Sequence, residues 1–181
     1  MSQDRWEEAA RELKQAIEMA DDIGNIEWSK SARESLALVS LYRNDLAGAR
    51  DLVEAARKYD VFLTNHSTSA VLGVVTLRQG DLNTAREAFS AAFDEARELV
   101  DLTADQYRAL DVKGLSLCGL ALCGYAQQIP AAKAAYKAAR AVTSDAGITR
   151  DVLQLFDALA QADIEGILAE VRPVAAAMRS E

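Results

Sequence analysis

The strongest constraint on this chain is that it repeats itself. Asp45-Leu46-Ala47-Gly48-Ala49-Arg50-Asp51-Leu52-Val53-Glu54-Ala55-Ala56 and Asp81-Leu82-Asn83-Thr84-Ala85-Arg86-Glu87-Ala88-Phe89-Ser90-Ala91-Ala92 share Asp, Leu, Ala, Arg and the closing Ala-Ala at an offset of 36 residues. A weaker copy starts at Ile129, with Ala132-Lys133, Tyr136 and Ala138-Ala139, and another at Trp6, with Ala9, Leu13 and Ala16 in register. Similarity at such a period marks stacked supersecondary units, none of which buries its apolar face alone. Within each copy a bulky residue is followed three on by Ala, four on by a bulky residue and three on by Ala, as in Leu46, Ala49, Val53 and Ala56. That spacing places all four on one helical face. Alanine at a crossing point lets two helix axes approach to about 8 Å, and the large residue between the alanines fills the neighbouring gap.

A second apolar segment precedes each of the two best copies: Ser31–Asn44 before Asp45 and Ser67–Gly80 before Asp81. Asn44 and Gly80 suit the left-handed residue that ends a helix, and Asp45 and Asp81 suit the N-cap of the next. The unit is therefore helix, tight turn, helix. With 181 residues, half of them hydrophobic, and only 2 Pro and 9 Gly, the chain reads as one all-α domain or short repeat array.

Composition removes several functions. A net charge of -8 does not attract phosphate backbones or anionic membranes. No apolar run of about 18 residues marks a membrane span, and the polar start Met1–Glu8 has no signal-peptide core. Cys118 and Cys123 would point roughly 140° apart on a helix, which reads as two thiols in a reducing cytoplasm. His66 is the only histidine, so no metal centre or Ser-His-Asp arrangement is expected, and its place after Asn65 suits a helix start. Gly114-Leu115-Ser116-Leu117-Cys118-Gly119 is one residue too long for a nucleophile elbow, and no Gly-Lys-Ser/Thr follows for a phosphate loop. No catalytic residue, metal or cofactor is assigned, and the chain is read as a non-enzyme.

Leu72-Gly73, Gly80-Asp81, Ala85, Phe89 and Ala92 resemble the tetratricopeptide repeat (TPR) family. Leu36-Ala37, Asp45, Ala49, Val53 and Ala56 give a first unit; Gly119-Leu120, Ala132, Tyr136 and Ala139 give a looser third. The aromatic that opens a family unit is replaced by Arg33, Ser69 and Ser116, and the closing proline is missing. Repeat alanines at 9, 49, 85 and 132 are spaced by 40, 36 and 47 residues, longer than the family's usual period. Gly24 and Gly147, each fifteen residues after a repeat alanine and each two residues after an Asp, read as shared helix terminators. The chain is thereby similar to long-repeat TPR arrays of bacterial signalling proteins, including sensor arms of NB-ARC-type ATPases and large transcription activators.

The resemblance implies a right-handed α-solenoid of about 8–9 helices in antiparallel pairs. Its parts are an unpaired second helix at 4–25, repeats at 28–59, 65–100 and 104–147, and C-terminal helices over 149–179, the last of them expected at Asp163–Met178. The unpaired first helix suggests excision from a longer array. The resemblance also implies a concave groove lined by Glu34, Leu38, Leu41 and Tyr42, by Ala70, Val74, Leu77 and Arg78, and by Leu117, Ala121, Gly124 and Tyr125. Apolar anchors edged by Tyr and Arg suit a peptide or helix of a protein partner. Leu38 and Val74 stand where family members that clamp a carboxylate carry asparagine, which argues against a chaperone tail. The expected function is a cytoplasmic, non-catalytic interaction module. The alternatives are a ligand-sensing arm using Tyr42, Arg78 and Tyr125, and self-association through the array ends.

Overall fold

The computed structural model describes residues 3–177. Among them the chain is all-α, with no strand. The helices are α1 (Gln3–Asp22), α2 (Ile26–Tyr42), α3 (Leu46–Ala56), α4 (Asn65–Arg78), α5 (Leu82–Leu102), α6 (Tyr107–Leu122), α7 (Ile129–Val142), α8 (Ala146–Ala160) and α9 (Arg172–Ala175), with a 3-10 turn at Ala126–Gln128 before α7.

One local device ends four of these helices. Gly24, Asn44, Gly80 and Gly124 all have positive φ, between 64° and 101°. The next amide in each case bonds back to a carbonyl five residues earlier: Asn25 to Ala20, Asp45 to Ser40, Asp81 to Thr76 and Tyr125 to Leu120, at 2.9 to 3.1 Å. This satisfies carbonyls that the helix end would otherwise leave unpaired. Asp45 Oδ1 then accepts from the Gly48 amide at 3.0 Å, and Asp81 Oδ1 from the Thr84 amide at 3.2 Å, so each turn starts the next helix as it ends the last. A three-residue turn between helices in contact makes α2 and α3, and α4 and α5, antiparallel hairpins.

The hairpins stack as a helical repeat. α2 packs against α3 and α4, and α4 packs against α5 and α6. The small residues sit where helices cross: Ala49, Ala56, Ala85, Ala92, Ala132 and Ala139 are fully buried, as are Val53, Phe89 and Tyr136 between them. Phe89 is clasped from both sides. A Cβ on Gly73 of α4 would lie 2.6 Å from its ring, and a Cβ on Gly119 of α6 would clash with its other edge. Tyr136 rests on Gly114 of α6 in the same way, 2.9 Å from where a Cβ would stand, and meets Phe156 of α8 edge-on at 6.1 Å. Glycine is required at these positions because an aromatic ring occupies the space of a side chain.

Three expectations are corrected. Gly124 is the left-handed terminator of α6, equivalent to Gly80 and Asn44, not a groove residue. Counting from that turn moves the third unit's register by three residues, so Cys118, Ala121 and Leu122 match Val74, Leu77 and Arg78. Gly147 does not end a helix; it opens α8, its amide bonded at 2.8 Å to the N-cap Asp145. The last helix is not continuous over Asp163–Met178. Asp163 captures the amides of Ile167 and Leu168 at 3.0 and 2.8 Å, Gly166 turns left-handed at φ 73°, and helix resumes only as the four-residue α9. A side chain competing for backbone amides favours a turn over helix propagation. Met178 lies outside the described residues.

Candidate functional site

Three parts of the molecule bear on function: the face expected to form the groove, a buried polar cluster, and the end of the stack at α1.

The expected groove is not open. Leu41, Ala70, Val74, Leu77, Leu117 and Ala121 are buried in the core; Glu34, Leu38, Tyr42 and Arg78 are half-buried, and of the twelve only Gly124 and Tyr125 are exposed. The cover is α8, which leaves α7 after Thr143–Asp145 and packs against both α4 and α6. Its Phe156 and Leu159 join the same core as Leu41 and Val74. As a result α4 is buried on every side, from Thr68 to Leu77. α8 is pinned by a buried polar contact. Arg140 of α7 donates to both carboxylate oxygens of Asp111 on α6 and, at 2.8 Å, to Thr149 Oγ1 on α8. Burial pushes the Asp111 carboxyl up to about 6, against the pull of Arg140.

The half-buried groove residues have internal partners. Arg78 donates to Asn44 Oδ1 at 2.6 Å, tying the end of α4 to the turn after α2. Glu34 accepts from the hydroxyls of Ser67 and Thr68; burial pushes its carboxyl up and those hydroxyls draw it down. Tyr42 meets the Trp6 ring at 5.9 Å in a tilted contact, and burial raises its phenol. Tyr125 stands beyond the α6 turn, beside Arg86 and Gln128. Tyr42, Arg78 and Tyr125 therefore do not converge on one ligand position.

The polar cluster joins α2, α4, α5 and the linker after α3. Lys30 is fully buried and donates to Asn65 Oδ1, which also accepts the Val61 amide at 3.1 Å; Asn65 Nδ2 donates to Asp60 at 2.7 Å. His66 is buried beside it, with Nδ1 lacking a hydrogen-bond partner. Burial, then the charges of Lys30 and Arg108, depress the His66 imidazole to about 4. Burial also lowers Lys30 and raises Glu95. The cluster fastens the α3–α4 linker to the start of α4. Sequence reasoning missed Lys30 and Glu95. The available signal was a lysine one turn before Glu34 on an otherwise packed helix.

The third part is the α1 end. In α3, α5 and α7 the Ala-bulky-Ala triad is fully buried, but in α1 Ala9 and Leu13 are half-buried and Ala16 is exposed. Leu13 and Ala16 line a cleft of about 560 Å³ between α1 and α2, whose walls include Met19, Ile23, Trp28 and Ala32. Met19, Ile23 and Trp28 are 69%, 66% and 63% exposed. Large apolar side chains grouped in this way mark an interaction surface more often than scattered ones do.

Among the described residues no three or more His, Cys, Asp or Glu side chains are placed to hold a metal ion, and no helix is long and apolar enough to cross a membrane. Cys118 and Cys123 are free thiols. No family model, curated protein or solved structure matches the chain.

Proposed function

We propose that this chain is a non-catalytic, TPR-like protein-interaction module of the kind found in bacterial cytoplasmic signalling proteins, and that it meets its partner at the α1–α2 end. The observation that carries this reading is the contrast between the filled inner face and the exposed cleft. α8 takes the place that a bound peptide would have on α4 and α6, while Met19, Ile23 and Trp28 stand in water. The reading also draws on the stacked hairpins and their small-residue crossings. The free thiols fit a reducing compartment.

Two charge insertions test it. Trp28→Glu alters the open end, and Leu38→Asp alters the edge of the inner face. Tagged protein is recovered from its source cells and its co-purifying proteins are quantified, with circular dichroism confirming helicity. A partner kept by Leu38→Asp and lost by Trp28→Glu is the expected result. Loss with Leu38→Asp alone would return the site to the inner face.

A further inference from the structure

We propose that the cleft between α1 and α2 is a slot for a single α-helix of a partner protein, built like the chain's own α2 and α4, with Ala or Gly where it crosses Leu13. This inference rests on the interaction-module reading and specifies the partner.

The argument comes from the occupied versions of the same slot. α1 with α2, α3 with α4, and α5 with α6 are successive pairs in contact. The groove of the second pair holds α2 and the groove of the third holds α4, each of which touches both helices of its pair. The first groove continues this series of interfaces, and the described residues place no helix in it. The bulky residue of the triad shows what is missing. Phe89 is held between its preceding hairpin helix, through Gly73, and the following one, through Gly119. Tyr136 is held between Gly114 and Phe156. Leu13 stands at the same register, with α2 on one side and the cleft on the other.

The two filled grooves also define the occupant. α2 carries Leu36-Ala37-Leu38-Val39-Ser40-Leu41 and α4 carries Leu72-Gly73-Val74-Val75-Thr76-Leu77, an offset of 36. The shared pattern is Leu, a small residue, any residue, Val, any residue, Leu. The small residue permits close approach, and Leu and Val bury the flanks. Asp22 adds a negative charge to the cleft lining, so a basic residue on the nearby end of the incoming helix is favoured.

The probe is a fluorescein-labelled peptide of residues 65–80, which is α4 with the first two residues of its closing turn, titrated with the full chain and followed by anisotropy. Saturable binding is expected. It weakens about tenfold or more when the chain carries Ala16→Glu, or when the peptide carries Gly73→Leu, which puts bulk at the crossing. Ala16 is exposed, so that variant keeps its helicity and melting temperature. Absence of saturable binding overturns the proposal, as does equal binding by the Ala16→Glu chain. Sedimentation of the chain alone gives a further outcome: a dimer that Ala16→Glu dissolves and the peptide does not displace assigns the cleft to a second copy and also overturns it. If the peptide fails while the cellular partner is still lost with Trp28→Glu, the interaction module stands and only the helix-slot assignment falls.

Discussion

α1 and α5 carry the same pattern and have different fates. In α5, Ala85, Phe89, Ala92 and Ala96 are all fully buried. In α1, 76 residues earlier, Ala9 and Leu13 are half-buried and Ala16 is exposed, and of these four repeat positions Ala20 is the buried one. The side chains follow one rule; the neighbours do not. α5 packs against both α4 and α6, whereas among the described residues the main packing of α1 is on α2. Burial energy therefore belongs to the position in the stack and not to the motif.

The largest expected effect is at the clasped ring. Phe89→Ala removes a fully buried aromatic from between two glycines and is expected to cost about 3–5 kcal/mol in urea unfolding. A loss near 1 kcal/mol would mean that the middle of the array packs as loosely as its end.

Acid is expected to act next, at the centre of the stack. The His66 imidazole titrates near 4 in the folded chain, against an ordinary value of 6.5. The unfolded chain therefore binds the proton more readily. The contribution is complete above pH 6.5 and is lost as pH falls toward 4, up to about 3 kcal/mol. Glu34 and Glu95, which face the same cluster and are raised by burial, slope the opposite way. The difference between the pH–stability profiles of the wild type and His66→Leu isolates the histidine; parallel profiles would remove it from the account.

Gly119→Ala sharpens the comparison at a single atom. Its Cβ would collide with Phe89, and the expected cost is about 1–3 kcal/mol. Adding Phe89→Leu should recover part of that loss, because the two sites share one contact. Additive losses would deny that the ring is what excludes a side chain there.

The smallest effect is expected at the end of the array. Leu13→Ala, the register partner of Phe89→Ala, should cost about 1 kcal/mol or less, because Leu13 is only partly buried and borders the cleft. A cost matching that of Phe89 would indicate that the cleft is closed in solution.

Much of this was legible residue by residue. Asn44-Asp45 and Gly80-Asp81 announced their turns because a left-handed stop and an N-cap are both local hydrogen-bonding choices. Gly124 was harder to read, since Tyr125 follows it where Asp stands in the other two turns. The break in the expected last helix was also local, but it depends on the Asp163 carboxylate winning the amides of Ile167 and Leu168, a competition that pattern alone does not decide. The candidate groove was the least legible part. Leu38, Val74 and Leu77 look the same in a sequence whether they face a partner or a helix of their own chain.

The sequence by itself determined that the chain is helical, where its tight turns fall and which face of each second helix is lined with small residues, because those features depend on atoms a few residues apart. Only the tertiary structure decided that α8 seals the inner face over α4 and α6, that Lys30 and His66 are drawn out of water, and that α1 is left with half a packing site. Those outcomes depend on which distant helix arrives at a given apolar surface, and an apolar surface binds without direction, leaving no mark in the local sequence that names its neighbour.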